Sequence, residues 1–140
     1  GDVYKRQEND NLLNFSTKSR DMHLNTNLKA PAYLSKEFSK NIGKSKNANI
    51  INIIDQRVFK LTPYFFSYTL SKTGLYTLTK TSAMSLSPNI RVNGIAPGPT
   101  IKNKRQTEKH FKNQAFMIIL FFVSCLRISV SFMFFIYFYY

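Results

Sequence analysis

The chain has 140 residues, a length that suits one domain, and its 20 lysines and arginines against 7 acidic residues give a formal net charge of +13 at pH 7. Its single cysteine, Cys125, excludes an internal disulfide and a cysteine-based metal cluster, and His23 and His110 lack metal-ligand spacing, so His23 is interpreted as a surface or packing residue. The cations are spread from Lys5 to Lys112 without a dense run or a known nucleic-acid motif, so no specific nucleic-acid partner is predicted.

Three stretches of different character divide the sequence. Residues 1–7 resemble a translated sequencing adapter and are treated as a non-native leader. Residues 8–114 have the mixed polarity of a folded domain, and residues 115–140 form an almost wholly apolar tail. The predicted domain therefore spans residues 8–114.

The first predicted element of this domain is a bent helix. Ser16 or Thr17 is expected to cap it, because a hydroxyl accepts an orphan backbone N–H group, and the helix is expected to run over Lys18–Asn41. Pro31 removes one backbone donor inside that stretch and predicts a bend. Asn27 lies one turn earlier, near the carbonyl group that such a bend releases, so hydrogen bonding at the bend is one role open to it.

A short strand is predicted next, over Ala48–Ile54, where isoleucine fills four of the seven places. An apolar run without alternation is typical of a strand that is covered on both faces. Asp55 ends the run. Ligands of open parallel sheets bind just beyond the carboxyl ends of the strands, so Asp55 is a candidate site residue; otherwise it is an ordinary acid that opens a loop.

A long helix over Phe65–Leu86 is predicted to follow a loop at Gln56–Tyr64. Tyr68 and Lys72 are four residues apart, so they share a helix face with Cβ atoms about 5–6 Å apart. An ammonium at that distance favours the ionised phenol, which can then give up its proton below its reference pKa of about 10. Taken alone, this spacing is also found for two exposed side chains on a helix that have no catalytic role. A second stripe of small residues permits close packing against another element; it contains Gly74, Thr77, Thr81 and Ser85.

The carboxyl-terminal part begins with a predicted strand at Ile90–Ile95, a sharp turn at Pro97–Pro99 and a basic helical stretch at Lys102–Gln114. The tail at 115–140 exceeds the roughly 20 apolar residues that span a bilayer. Arg127 within it costs about 2.5–3.5 kcal/mol on the insertion scale, which the surrounding apolar residues offset. The tail is interpreted as an out-of-frame translation product, a membrane segment or a buried segment.

The order of these motifs resembles the short-chain dehydrogenase/reductase family over about eighty residues. Asn27 matches a helix-bending asparagine of that family, Tyr68 and Lys72 match its catalytic pair, and Arg91–Gly98 matches a strand with its cofactor-facing turn. Most members carry serine where this chain has Asp55, and an aspartate there resembles the pteridine reductases and dihydrofolate-reductase-like members. The family's glycine-rich G-x-x-x-G-x-G turn and Asn-Asn-Ala-Gly segment are absent, so the sequence resembles the second half of such a domain.

The resemblance implies a partial Rossmann-type α/β fold, a doubly wound parallel sheet that lacks its first βαβ units, and it implies a role for each matched residue. Tyr68 would donate a proton as a general acid, and Lys72 would lower the pKa of Tyr68 and bind the nicotinamide ribose. Asp55 would assist protonation or hold a pteridine-like ring. Asn27 would support a proton relay through a water linked to the lysine.

The implied cofactor is NADP, although the phosphate-binding turn is missing from the sequence. Tyr68 and Lys72 would contact this cofactor together with Pro97, Gly98 and Thr100, which would border the nicotinamide, and the reaction would reduce a C=O or C=N bond of a small molecule such as a pteridine or folate. The family also implies a homo-oligomer in the cytoplasm. The alternative is an inactive fragment or a basic, membrane-associated non-enzyme attached through residues 115–140, and we expect the 140 residues alone to be inactive.

Overall fold

A computed structural model of the chain describes residues 9–42, 47–97, 119–126 and 129–136. Within these ranges β1 and β2 pair in parallel, and β3 and β4 form a separate antiparallel hairpin. This is the α/β arrangement with a short parallel sheet that the sequence predicts. The elements in chain order are α1 (Thr17–Leu24), a π-helical turn (Asn25–Lys29), α2 (Ala30–Asn41), β1 (Ala48–Ile53), a 3-10 turn (Gln56–Val58), α3 (Phe66–Leu86), β2 (Ile90–Ile95), β3 (Ile119–Leu126) and β4 (Ser129–Ile136).

The first helical run is continuous from α1 to α2 and is interrupted only by the π-helical turn. Ser16 caps it as predicted, because its hydroxyl oxygen accepts the backbone N–H of Ser19 at 3.1 Å. The predicted bend takes the form of the π turn. Pro31 has no N–H for the carbonyl of Asn27, and the N–H of Ala30 reaches back five residues to Asn25. The local chemistry of proline therefore places the irregular turn at Asn27.

The core lies between the sheet and α3. Ala48 of β1 is level with Ile90 of β2, and the register continues to the pair of Ile53 and Ile95. Ala83 of α3 packs with Ile90 and Val92 of β2, and all three are buried. A polar pair also crosses this interface, since the side-chain amide of Asn52 donates to the hydroxyl of Thr79 at 2.9 Å. This hydrogen bond compensates the cost of burying both groups.

The expectation that both faces of β1 are covered is wrong for the part of the chain that the structure describes. The exposed fractions of Ile51 and Ile53 are 51% and 54%, and Asn49 on the same face is also exposed. The physical reason is that α3 packs on the opposite face, where Ile50, Asn52 and Ile54 point. The apolar run thus gives a strand, as predicted, but with helical cover on one side.

The apolar tail contains β3 and β4, in which Ile119 is level with Ile136 and Leu126 with Ser129. Among the residues that the structure describes, no helix is both long and apolar enough to cross a membrane. The three interpretations of the tail stay predictions. Arg127, the basic stretch at 102–114 and the end of the turn at 97–99 lie outside the described residues.

Gly94 of β2 faces two buried side chains at close range, and we expect Gly94→Val to destabilise the fold. A Cβ atom there would overlap Ile54 Cδ1 and lie 3.5 Å from Thr79 Cγ2, and both neighbours are buried. Overpacking of this kind costs about 1–3 kcal/mol of unfolding free energy. Urea denaturation measures the loss, and Arg91→Val at an exposed place on the same strand is the control. Equal stability of the two variants would contradict this account of the packing.

Candidate functional site

Asp55 follows the carboxyl end of β1, and its two carboxylate oxygens have different partners. One oxygen, Oδ1, accepts the backbone N–H of Arg57 at 2.9 Å and so caps the 3-10 turn. The other oxygen, Oδ2, accepts the phenol O–H of Tyr68 at 2.7 Å. The cap fixes the carboxylate direction, so the second oxygen is aimed at the phenol. The structure therefore brings together the predicted acid and the predicted proton donor.

Tyr68 stands in the first turn of α3, whose start is held by several contacts. Phe65 precedes the helix with a φ of 60°, in the left-handed region, and supplies no side-chain cap. The guanidinium of Arg57 lies 3.9 Å from the centre of the Phe65 ring. This cation–π contact links the 3-10 turn after Asp55 to the residue before α3. The turn after Asp55 and the start of α3 are therefore linked twice, by the Tyr68–Asp55 hydrogen bond and by the Arg57–Phe65 contact.

Lys72 lies one turn beyond Tyr68 on the same face of α3. Its ammonium donates to the backbone carbonyl of Ile53 at 2.9 Å and lies 5.9 Å from the centre of the Tyr68 ring. Burial lowers the pKa of Lys72, and the carboxylate of Asp55 opposes this shift. Tyr68 and Lys72 therefore share a helix face, as predicted, and the ammonium is hydrogen-bonded to the last residue of β1.

Asn27 reaches α3 through Ser71. The side-chain amide of Asn27 donates to the Ser71 hydroxyl at 3.0 Å, and that hydroxyl donates to the backbone carbonyl of Tyr68 at 2.7 Å. The π turn thus supports the first turns of α3. Ser71 is fully buried and was missed from the sequence, where a serine between Tyr68 and Lys72 carries no signal of its own.

A cleft of about 460 Å³ lies between α2 and β1 and contains two of the predicted residues, Asn27 and Lys72. Asp55 and Tyr68 are not among its lining residues, so Lys72 connects the cleft to the hydrogen-bonded pair. Pro97 follows β2 at the same end of the parallel sheet as Asp55. The predicted cofactor contacts at Gly98 and Thr100 lie outside the described residues. The apolar wall of the cleft includes Pro31, Leu34, Phe38, Ile51 and Leu75.

Three further polar residues are joined by hydrogen bonds at the start of α3, next to Tyr68: Asp10, His23 and Ser67. None of them was assigned to the site from the sequence. Their exposed fractions are 5%, 1% and 0%, respectively. His23 is therefore a buried packing residue, and its ring meets the ring of Tyr68 edge-on, with centroids 5.7 Å apart. The 57 residues that separate Asp10 from Ser67 explain why no sequence pattern reveals their contact.

The burial of Lys72 predicts a pH dependence of stability. Its pKa is lowered on folding from an ordinary value of 10.5, so in the interval between the two values the unfolded chain binds more protons. Stability is therefore expected to rise with pH through that interval because of this residue. Urea midpoints measured across the alkaline range for the parent and Lys72→Met test this. The parent's curve should rise relative to the variant's, and parallel curves would contradict the expectation.

Comparison with known proteins gives consistent matches. A family model for short chain dehydrogenases matches residues 6–113. Dehydrogenase/reductase SDR family member 4 from Pongo abelii is 38% identical over 88 residues, which cover 62% of this chain and 32% of that protein. The 2-dehydro-3-deoxy-D-gluconate 5-dehydrogenase of Escherichia coli strain K12 is 34% identical over 99 residues, 69% of this chain and 39% of that protein. The chain thus spans about a third of the length of the curated relatives that it matches.

Solved structures extend the match to the fold. FolM alternative dihydrofolate reductase 1 from Brucella suis, in complex with NADP, is 42% identical with a TM-score of 0.71, and the match covers 77% of this chain and 44% of that one. A 4-hydroxyisoleucine dehydrogenase complexed with NADH is 36% identical with a TM-score of 0.61, covering 65% of this chain and 41% of that one. These matches confirm the predicted partial Rossmann-type fold and the resemblance to dihydrofolate-reductase-like proteins.

Proposed function

Because the chain belongs to the short-chain dehydrogenase family, we propose that residues 9–97 carry the proton-donating side of an NADPH-dependent reductase site. The observation that carries this proposal is the 2.7 Å hydrogen bond from the Tyr68 phenol to Asp55, with the Lys72 ammonium 5.9 Å from the same ring. A phenol, a carboxylate and an ammonium in this arrangement can deliver a proton. The reaction class is reduction of a C=O or C=N bond.

Tyr68 is the general acid in this proposal. Its phenol O–H releases a proton to the oxygen or nitrogen of the bond that is reduced, a contribution of about 10²–10⁴ in rate for a positioned acid. Asp55 orients the phenol through Oδ2, and solvent replaces the proton that the phenol gives up. Lys72 adds a positive charge that favours the phenolate left after transfer. A bound nicotinamide supplies the hydride.

The residues present fit the nicotinamide end of such a cofactor. Lys72 uses one N–H to hold Ile53 O, and an ammonium has further donors for ribose hydroxyls. Its position on the wall of the cleft gives a ligand access to it. Pro97 at the carboxyl end of β2 would border the nicotinamide, and Gly98 and Thr100 stay predictions. NADPH is proposed over NADH because the Brucella suis protein, 42% identical, is complexed with NADP.

A pteridine or folate-like substrate is proposed for the same reason and for a chemical one. The Brucella suis relative is named as an alternative dihydrofolate reductase. A carboxylate in place of the usual serine accepts hydrogen bonds from the N–H groups of a pteridine ring, and Asp55 offers such acceptors at the carboxyl end of β1. The proposed substrate is therefore a small, nitrogen-rich heterocycle. Assembly as a homo-oligomer also stays a proposal.

Two preparations test the proposed function. The first is the chain itself, and the second is a chimera in which residues 9–97 replace the aligned segment of the Brucella suis protein. NADPH fluorescence titration should show no saturable binding to the chain, which lacks the glycine-rich turn, and micromolar binding to the chimera. The chimera should then oxidise NADPH when dihydrofolate or a dihydropteridine is added. A folded chimera that binds NADPH but reduces neither compound would refute the substrate class, and one that fails to bind NADPH would refute the cofactor assignment.

A further inference from the structure

A buried network of three side chains holds the amino-terminal end of α3, the helix that carries Tyr68. Asp10 receives two hydrogen bonds from Ser67 at the same oxygen, Oδ2: one from the backbone N–H at 3.3 Å and one from the hydroxyl. The backbone carbonyl of Asp10 also accepts the N–H of Phe66 at 3.3 Å. His23 Nδ1 lies 2.8 Å from the same Ser67 hydroxyl. Contacts from α1 and from the segment before it therefore meet at one serine.

Asp10 caps the amino-terminal end of α3 in place of the residue at the capping position. Phe65, which stands in the capping position, supplies no side-chain acceptor. The carboxylate of Asp10, far away in the sequence, accepts an N–H of the first helical turn instead. A negative charge at this end also interacts favourably with the helix dipole. The start of α3 therefore depends on a residue that is distant in sequence.

The donor and acceptor roles in the network are fixed by elimination. Ser67 has one hydroxyl hydrogen, and it is donated to Oδ2 of Asp10. The oxygen of Ser67 is then the acceptor for His23, so Nδ1 of His23 carries a proton. The direction of hydrogen bonding runs from His23 through Ser67 to Asp10. The imidazole is thereby held in one orientation, with its plane at 78° to the ring of Tyr68.

We propose that Asp10, Ser67 and His23 are positioning residues that keep the Tyr68 phenol directed at Asp55. Ser67 precedes Tyr68 in the chain, so a shift of Ser67 moves the backbone that carries the phenol. His23 contacts the ring of Tyr68, while Asp55 accepts the hydrogen bond from its hydroxyl. This proposal deepens the proposed function, on which its catalytic meaning rests.

The test uses the full chain, so that it needs neither cofactor nor substrate. The chain is labelled with 3-fluorotyrosine, and the Tyr68 resonance among the 8 tyrosines is assigned by its loss in Tyr68→Phe. The pH midpoint of that resonance is then measured in the parent, in Asp55→Ala and in Ser67→Ala. Asp55→Ala defines the displacement that results when the acceptor is lost. Ser67→Ala should shift the midpoint at least half of the way toward that of Asp55→Ala.

Matched variants separate positioning from a loss of stability. Asp10→Ala should shift the Tyr68 midpoint in the same direction, whereas Asp10→Asn, which keeps an acceptor oxygen, should stay near the parent. Ser85→Ala removes a serine hydroxyl from the exposed far end of α3 and should change nothing. If folded Ser67→Ala and Asp10→Ala keep the parent midpoint, the network only stabilises the fold and the proposal is overturned. That result would leave the proposed function intact, since turnover of the chimera tests it separately.

Discussion

Tyr68→Phe is expected to reduce turnover of the chimera by about 10²–10⁴-fold, the contribution of a positioned general acid. The substitution removes one hydroxyl and leaves the ring, so the edge-on contact with His23 at 5.7 Å is retained. Binding of NADPH should change less than turnover, because Lys72, the other α3 residue expected to contact the cofactor, keeps its hydrogen bond to Ile53. The expected result is therefore a loss of kcat that is much larger than any change in KM for NADPH. Steady-state kinetics with dihydrofolate measure both quantities.

Tyr76→Phe is the matched control for this experiment. Tyr76 lies two turns further along α3, and its hydroxyl accepts a hydrogen bond from Lys80 at 3.2 Å. Removing that hydroxyl alters a similar phenol–lysine pair whose hydroxyl is hydrogen-bonded to Lys80 rather than to Asp55. Turnover of Tyr76→Phe should therefore remain close to that of the parent. Equal losses in the two variants would show that the Tyr68 hydroxyl has no special part in the reaction.

Asp55→Ala is expected to lower both turnover and stability, while Asp55→Asn is expected to lower turnover alone. Alanine removes the acceptor of the Arg57 N–H and the acceptor of the Tyr68 phenol. Asparagine keeps an oxygen for Arg57, but its amide N–H₂ faces the phenol and cannot accept from it. Both variants should lose about 10²-fold or more in kcat, the lower end of acid–base catalysis. Alanine should also cost about 1 kcal/mol through the lost cap.

Measurements of kcat and of urea midpoints on the same samples separate these two effects. Asp55→Ser provides a third comparison, because serine is the residue that most of the family carries at this place. Its hydroxyl can still contact the phenol, but it lacks the carboxylate proposed to hold a pteridine. It should therefore lose more activity toward dihydrofolate than toward a simple ketone. Unchanged dihydrofolate reduction in Asp55→Asn would remove the carboxylate from the mechanism.

Local features of the fold are predictable from the sequence because their causes are local. Ser16 caps the first helix through a hydroxyl three residues from its donor, and Pro31 dictates which carbonyl loses its partner. The spacing of Tyr68 and Lys72 fixes their shared face for the same reason. Each of these predictions depends on residues within one helical turn, where sequence separation and spatial separation are nearly equivalent.

The remaining features depend on contacts between distant parts of the chain. Asn27 and Ser71 are 44 residues apart, as are His23 and Ser67, and no periodicity links them. The exposure of Ile51 and Ile53 is another example, since an apolar strand looks the same in sequence whether one or two layers cover it. Only the packing of α3 on one face decides the outcome. Hydrogen-bonded networks and layer counts therefore required the structure.

The π turn at Asn25–Lys29 has a consequence for the phase of the helix that contains it. A π turn holds one residue more than an α turn, and each residue of an α-helix advances the side chains by about 100° around the axis. Converting this turn to a regular α turn without removing a residue would rotate α2 by about that angle relative to α1. The side chains of Leu34 and Phe38 would then leave the cleft that they line. Sequences of relatives with a regular helix at this point should accordingly align with a gap of one residue.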